Sequence, residues 1–361
     1  MEQTIDSLVR RLRSYFDGLL EEKAGGAIGL GDDELGAPAS CCTTAEAAAF
    51  YVLDHRLHGG GGLRIAAGLA QDVLMRQTDS GAFGQPYYKK HGDPEIPDIA
   101  EIGAAANALY HVHREAGSIE ARSALLKSAA YLELQTAREN PGAVYKNPNA
   151  QSHDVLNGDM YAAHTMARAY ELNGSEQYRQ RTEHIFRHLI RRFGRQTPGW
   201  WPYTEHWDGT LGMGISVSYQ AIIIGFASTA VKILPAELAA GWNQVAYAAA
   251  GTMLESMAEG AHDGNEAPWW CRDWSSVWEI DYALSRFPEW LEATAYVSDR
   301  LKELDSRLGI EGISVFRPKG ILPDPERAPV TTTFRKAATF AGILAYMVLD
   351  ETVYGRGGES R

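Results

Sequence analysis

Apolar residues recur at helical spacing along almost the whole chain. Between Ile5 and Glu22 they fall at Ile5, Leu8, Leu12, Tyr15, Phe16, Leu19 and Leu20. The same period predicts helices over 43–57, 63–77, 98–115, 119–136, 154–172, 176–193, 213–234, 236–257, 276–286, 289–308 and 332–349. That makes twelve helices, with strand-like alternation almost absent. Long polar loops alternate with short turns such as Asn173-Gly174-Ser175 and Phe287-Pro288.

The loops repeat a small-residue turn followed by an aromatic or apolar pair. The instances are Gly81-Ala-Phe, Gly142-Ala-Val-Tyr, Gly199-Trp-Trp, Pro268-Trp-Trp and Ser314-Val-Phe, at steps of 61, 57, 69 and 46 residues. The loop before Thr43 is a degenerate sixth member. A helical pair cannot bury both its faces alone, so pairs must stack. Six pairs close into an all-α, (α/α)6 toroid of inner and outer helix rings. No linker interrupts the pattern, so residues 1–361 read as a single domain. Thr43-x-x-Glu46, Asp98-x-x-Glu101 and Ser276-x-x-Glu279 resemble capping boxes, each at the start of an inner helix. The long aromatic loops therefore collect at one end, where a concave pocket belongs.

Two loops stand out. Gly199–Gly209 holds three tryptophans, a tyrosine, two carboxylates and a histidine, and 267–278 holds four more tryptophans. The two are expected to face each other across an aromatic, acidic pocket. Trp200, Trp201, Trp269, Trp270 and Trp274 are its expected stacking walls. Tyr203, Glu205, His206, Trp207, Arg272 and Asp273 add polar groups to it. Asp154, Asn157 and Tyr161 fall at i, i+3 and i+7, which places them on one face of a helix that also starts with Asp159. Asp98 and Glu101 are either a helix cap or carboxylates at the pocket rim. Lys89, Lys90, Lys146, Arg317 and Lys319 lie in the same loops, where surface solvation is the simpler role for each.

Composition narrows the partners. The net charge of −12 comes with no basic tail, which argues against nucleic acid and anionic membranes. No apolar run reaches ~18 residues, so no membrane span is expected. The N-terminus lacks the charge-then-apolar pattern of a signal peptide. Cys41, Cys42 and Cys271 form neither an even framework nor a CxxC pair, so disulfides and structural zinc are not expected. A cytoplasmic enzyme on a small-molecule substrate fits, with no metal and no cofactor. HExxH, GxxxxGKS and GxSxG are all absent from the sequence. Oligomeric state is not legible.

Flat rings stack on sugar faces, and several carboxylates can divide acid and base work, which fits glycoside chemistry. The segment Asp154–Asp208 carries Asp-Val-Leu-Asn-Gly-Asp-Met-Tyr, then Gly-Trp-Trp-Pro-Tyr-Thr-Glu-His-Trp-Asp. It resembles one hairpin of the six-hairpin glycosidases, nearest the unsaturated glucuronyl and rhamnogalacturonyl hydrolases. The resemblance implies an (α/α)6 toroid and aspartate acid/base hydrolysis of short uronides. By position Asp98 stands for the first family aspartate and Asp154 or Asp159 for the second; Asp154 or Asp159 is the expected main acid/base, with Asp98 and Asp208 as its helpers. One family element is missing: Leu211-Gly-Met-Gly-Ile-Ser lacks the expected arginine and tryptophan. The hairpin is also similar to the helical domain of glucuronyl C5-epimerases, which implies a uronate lyase or epimerase instead. Gln77-Thr-Asp-Ser-Gly-Ala-Phe resembles terpenoid-cyclase toroids, though their DxDD acid is absent.

Overall fold

Local chemistry starts and stops the helices much as the pattern predicts. In a computed structural model, which describes residues 1–85, 95–258, 277–318, 332–351 and 353–354, there are twelve α-helices among the described residues. In chain order they are α1 (Glu2–Asp17), α2 (Cys41–His58), α3 (Gly62–Met75), α4 (Ile99–Ala116), α5 (Ile119–Leu134) and α6 (Leu156–Asn173). Then come α7 (Glu176–Arg192), α8 (Val217–Ala230), α9 (Ala236–Ala258), α10 (Glu279–Ser285), α11 (Leu291–Glu311) and α12 (Thr333–Leu349). Helices α4 and α6 both end on a left-handed glycine, Gly117 at φ 69° and Gly174 at φ 68°. A residue with a Cβ would be strained there, so both glycines act as stops.

The caps differ in detail from the sequence reading. Helix α2 is capped by Ser40, whose Oγ accepts the Thr43 N–H at 3.1 Å, and not by Thr43. Glu46 lies inside that helix and accepts from the Thr339 hydroxyl at 3.1 Å. Asp98 does cap α4, accepting the Ala100 N–H at 2.9 Å.

Eight short strands also occur among the described residues, where strand-like alternation is almost unreadable. They are β1 (Leu20–Glu22), β2 (Ile28–Asp32), β3 (Ala37–Pro38), β4 (Gly84–Gln85), β5 (Ile96–Pro97), β6 (His153–Val155), β7 (Pro202–His206) and β8 (Leu211–Ile215). They form three antiparallel sheets, β1-β2-β3, β4-β5 and β6-β7-β8. Two to five residues per strand is too short for period 2 to stand out from helical spacing.

The chain divides into two compact units, where the hairpin pattern reads as one uninterrupted domain. The first unit is Met1–Ser128 with Tyr296–Leu349, and the second is Ala129–Ala295 with Asp350–Arg361. Two of the three boundaries fall inside helices, α5 and α11, and the third at the end of α12.

In the first unit α2 packs on α3, α4 and α12. An edge-on aromatic chain runs through its core, Phe16 to Phe50 at 5.5 Å and Phe16 to Phe334 at 6.2 Å. In the second unit α6 packs on α7 and α8, and α8 on α10. Helix α8 is apolar nearly all round and buried nearly all round, as such a composition requires. Residues Asp350 and Tyr354 complete this second core. Asp350 pairs with buried Arg168 and accepts the Tyr282 hydroxyl at 2.7 Å. The Tyr354 hydroxyl donates to the Ile224 carbonyl at 2.6 Å and receives the Trp242 indole N–H at 3.2 Å.

Candidate functional site

In the first unit the chemistry gathers at the start of α4. Asp98 and Glu101 are each 2 % exposed. Glu101 does not close a box on its own helix. Its Oε2 accepts the Cys42 N–H at 2.7 Å, so it caps the first turn of α2, 59 residues earlier. Burial pushes the Glu101 carboxyl up to about 7, and the neighbouring charge of Asp98 adds to the rise. The Cys42 amide, Arg335 and Arg76 work in the opposite direction. A carboxyl near neutrality can hold or release a proton at working pH, which is what a general acid or base needs. Burial and Glu46 likewise raise the Cys42 thiol, so it is no ready nucleophile.

In the second unit the group nearest the predicted aspartates is a charged cluster at the start of α6. Asp154 is not on the helix. It sits in β6, opposite Glu205 in β7, so it shares no helix face with Asn157 and Tyr161. Its Oδ2 accepts from His188 Nε2 at 2.7 Å. Asp159, in the first turn of α6, is fully buried and accepts the Val144 N–H at 2.7 Å. Burial raises its carboxyl well above the usual range, and Asp154 adds to that through its charge and a hydrogen bond. Arg181, on α7 like His188, donates to the Ala143 carbonyl at 2.8 Å. Glu205 pairs with Arg192, and burial still raises its carboxyl.

A cleft of about 190 Å³ reaches this cluster, lined by Asp154, His188, Arg192, Glu205, His206 and Trp207 among others. Trp207 is half-buried. Its ring meets Tyr145 edge-on at 6.0 Å, and its N–H donates to the Gln151 carbonyl at 2.8 Å. His206 is exposed at the hairpin end. Asp208 is exposed too. Its carboxylate accepts from the Thr210 N–H and hydroxyl at 2.9 and 2.7 Å, and these bonds lower its pKa. Asp208 therefore forms the β7–β8 turn, a role any Asx turn gives its first residue.

The remaining predicted residues separate into core and surface. The Gly199–Gly209 stretch is a strand and its hairpin turn, not a free loop. Trp200 and Trp201 are 5 % and 2 % exposed. Trp201 stacks on Trp242 at 5.7 Å and donates to the Leu189 carbonyl at 2.8 Å, so its faces are taken up by the core and it forms no open stacking wall. Tyr203 is partly exposed and lies parallel to Tyr219, centroids 4.2 Å apart, with the Lys146 ammonium 3.3 Å from its hydroxyl. Tyr161 is partly exposed and leans on Phe226 at 5.0 Å. Asn157 is buried, and its side-chain oxygen meets no donor. Trp269, Trp270, Arg272, Asp273 and Trp274 lie outside the described residues, as do Lys89, Lys90 and Lys319.

Sequence reasoning missed His188, Arg181 and Arg192. A signal was present: Arg181, Ile185, His188 and Arg192 fall at i, i+4, i+7 and i+11, one face of α7, of which the first three are buried and Arg192 half-buried.

No family model and no curated protein matches the chain by sequence. Solved structures do match along nearly its whole length. A sugar epimerase from a ruminal bacterium is 12 % identical over 95 % of this chain and 98 % of its own, with a TM-score of 0.65. A cellobiose 2-epimerase from Spirochaeta thermophila is 13 % identical over 96 % of each chain, TM-score 0.64. An unsaturated glucuronyl hydrolase specific for heparin is 12 % identical over 98 % of each chain, TM-score 0.61. The fold is an (α/α)6 toroid. Its likeness to the unsaturated glucuronyl hydrolases agrees with the resemblance carried by the Asp154–Asp208 hairpin.

Proposed function

We propose that the protein is a carbohydrate-active enzyme that hydrolyses short oligosaccharides by carboxyl acid/base catalysis, with uronic-acid-ended substrates as the favoured class. The observation that carries this reading is Glu101, a buried carboxyl held up at about 7 beside a second carboxylate, Asp98. Two neighbouring carboxyls with different environments are what divides acid from base work. In this reading Glu101 gives and recovers the proton, while Asp98 keeps it protonated until substrate arrives. The sugar-processing names of proteins sharing the fold support the reading further.

The test is turnover of unsaturated uronyl disaccharides, followed by loss of their ultraviolet absorbance, for the wild type and for Glu101→Gln and Asp98→Asn. Both variants should lose at least about 100-fold in kcat. Full turnover by both would overturn the assignment.

A second reading, sugar epimerisation, is favoured by the epimerases among the similar structures. It predicts solvent deuterium entering the sugar carbon skeleton with no bond hydrolysed. An isoprenoid cyclase, the third possibility raised by the sequence, draws no comparable support from these three structures.

A further inference from the structure

Asp154, Asp159 and His188 offer one ligand atom each within 4.8 Å of one another, all buried. By composition this is a cation's ligand set. Neither Asp154 Oδ1 nor Asp159 Oδ2 meets an N–H or hydroxyl donor, so something positive belongs between them.

The tautomer of His188 decides what it is. Asn140 Oδ1 accepts the Gly142 N–H at 2.8 Å, which fixes the orientation of the side-chain amide. Its Nδ2 therefore faces His188 Nδ1, at 3.0 Å. An amide nitrogen only donates, so Nδ1 holds the lone pair and the ring proton is on Nε2, aimed at Asp154. A metal needs the Nε2 lone pair, and its histidine ligands donate through the other nitrogen. Here both requirements fail. Gly142 keeps the arrangement tight, since a Cβ there would come within 2.5 Å of the His188 Cβ.

We propose that Asp154 and Asp159 share one proton, with neutral His188 as the second donor to Asp154, and that this proton lock joins β6, α6, α7 and the loop before β6. Asp159 Oδ2–H donates to Asp154 Oδ1, and both orphaned oxygens are then satisfied. Asp159 Oδ1 keeps the Val144 N–H. Among the described residues, the other charged groups around the pair are Arg181 on α7 and Glu205 on β7, itself paired with Arg192; Glu139, Arg191, Arg195 and His206 line the adjoining cleft. The lock makes Asp154, Asp159 and His188 positioning residues for the β6–β7 hairpin. It stands whether or not the chain acts on sugars.

Asp159→Asn is the direct test. An asparagine amide can donate to Asp154 while its oxygen keeps the Val144 N–H, so the variant imitates the protonated state permanently. Asp159 is protonated more readily in the folded chain, so the wild type loses stability as pH rises from about 4, the unfolded carboxyl value, toward the raised folded value. The variant does not. The Tm of Asp159→Asn relative to wild type should therefore climb with pH and level off once wild-type Asp159 ionises. A difference that stays flat with pH would overturn the lock. So would Zn²⁺ or Mn²⁺ raising the wild-type Tm reversibly by EDTA while leaving the variant unmoved. Should the variant fail to fold, ¹⁵N shifts of wild-type His188 settle the matter: an Nε2–H tautomer supports the lock, and an Nδ1–H tautomer overturns it.

Discussion

Replacing Glu101 by glutamine should make the protein more stable at alkaline pH while removing its activity. Burial raises this carboxyl from 4.5 to about 7. Each tenfold change in acidity is worth about 1.4 kcal/mol, so ionising Glu101 in the folded chain costs on the order of 3 kcal/mol. The folded pKa is the higher one, so the wild type is at full strength below about 4.5 and loses this amount as pH rises through about 7. Glutamine keeps an acceptor for the Cys42 N–H and never ionises. With an unfolding entropy of about 2 cal/mol/K per residue, 3 kcal/mol in a chain of 361 residues is about 4 °C of Tm. Thermal unfolding of both proteins at pH 5 and pH 8 measures it. The Glu101→Gln advantage should be small at pH 5 and several degrees at pH 8. An equal difference at the two pH values would refute the reasoning, because Glu101 would then not ionise within that window. The site would in that case carry no carboxyl poised near neutrality.

Two further substitutions test the second core. Trp201→Ala should cost about 3–5 kcal/mol in denaturant unfolding, because it empties a packed site against Trp242; a change in KM without loss of stability would instead return Trp201 to the substrate. Asp350→Asn removes the nearer of two carboxylates from the buried Arg168 guanidinium, leaving it Glu171 at 3.6 Å, and should cost about 3–5 kcal/mol by the same measurement.

The helical frame was legible because its signals are local. Helical period, the glycine stops at Gly117 and Gly174, and the Asp98 cap can all be read within a turn or two of chain. The candidate site was legible only in part, because its partners are distant in sequence. Nothing near Glu101 indicates that it caps a helix 59 residues earlier and not its own. Asp154 reads as a helix start because β6 is three residues long, and only its pairing with β7 makes it a strand. Trp200 and Trp201 misled for a related reason. Their clustering marks a place where aromatic mass is needed, but whether Trp201 lines a pocket or fills a core depends on Trp242, which lies far along the chain in α9.

The Arg168–Asp350 pair also bears on how the chain is made. Its two halves are 182 residues apart. At a synthesis rate of about 5–20 residues per second, the guanidinium is translated roughly 10–40 s before this carboxylate. During that interval α6 can form, but the surface that receives Arg168 must stay open or bury the cation ahead of its nearest counter-charge. The second unit therefore has a built-in waiting period, in which a chaperone that shields apolar helix faces would have its greatest effect on yield.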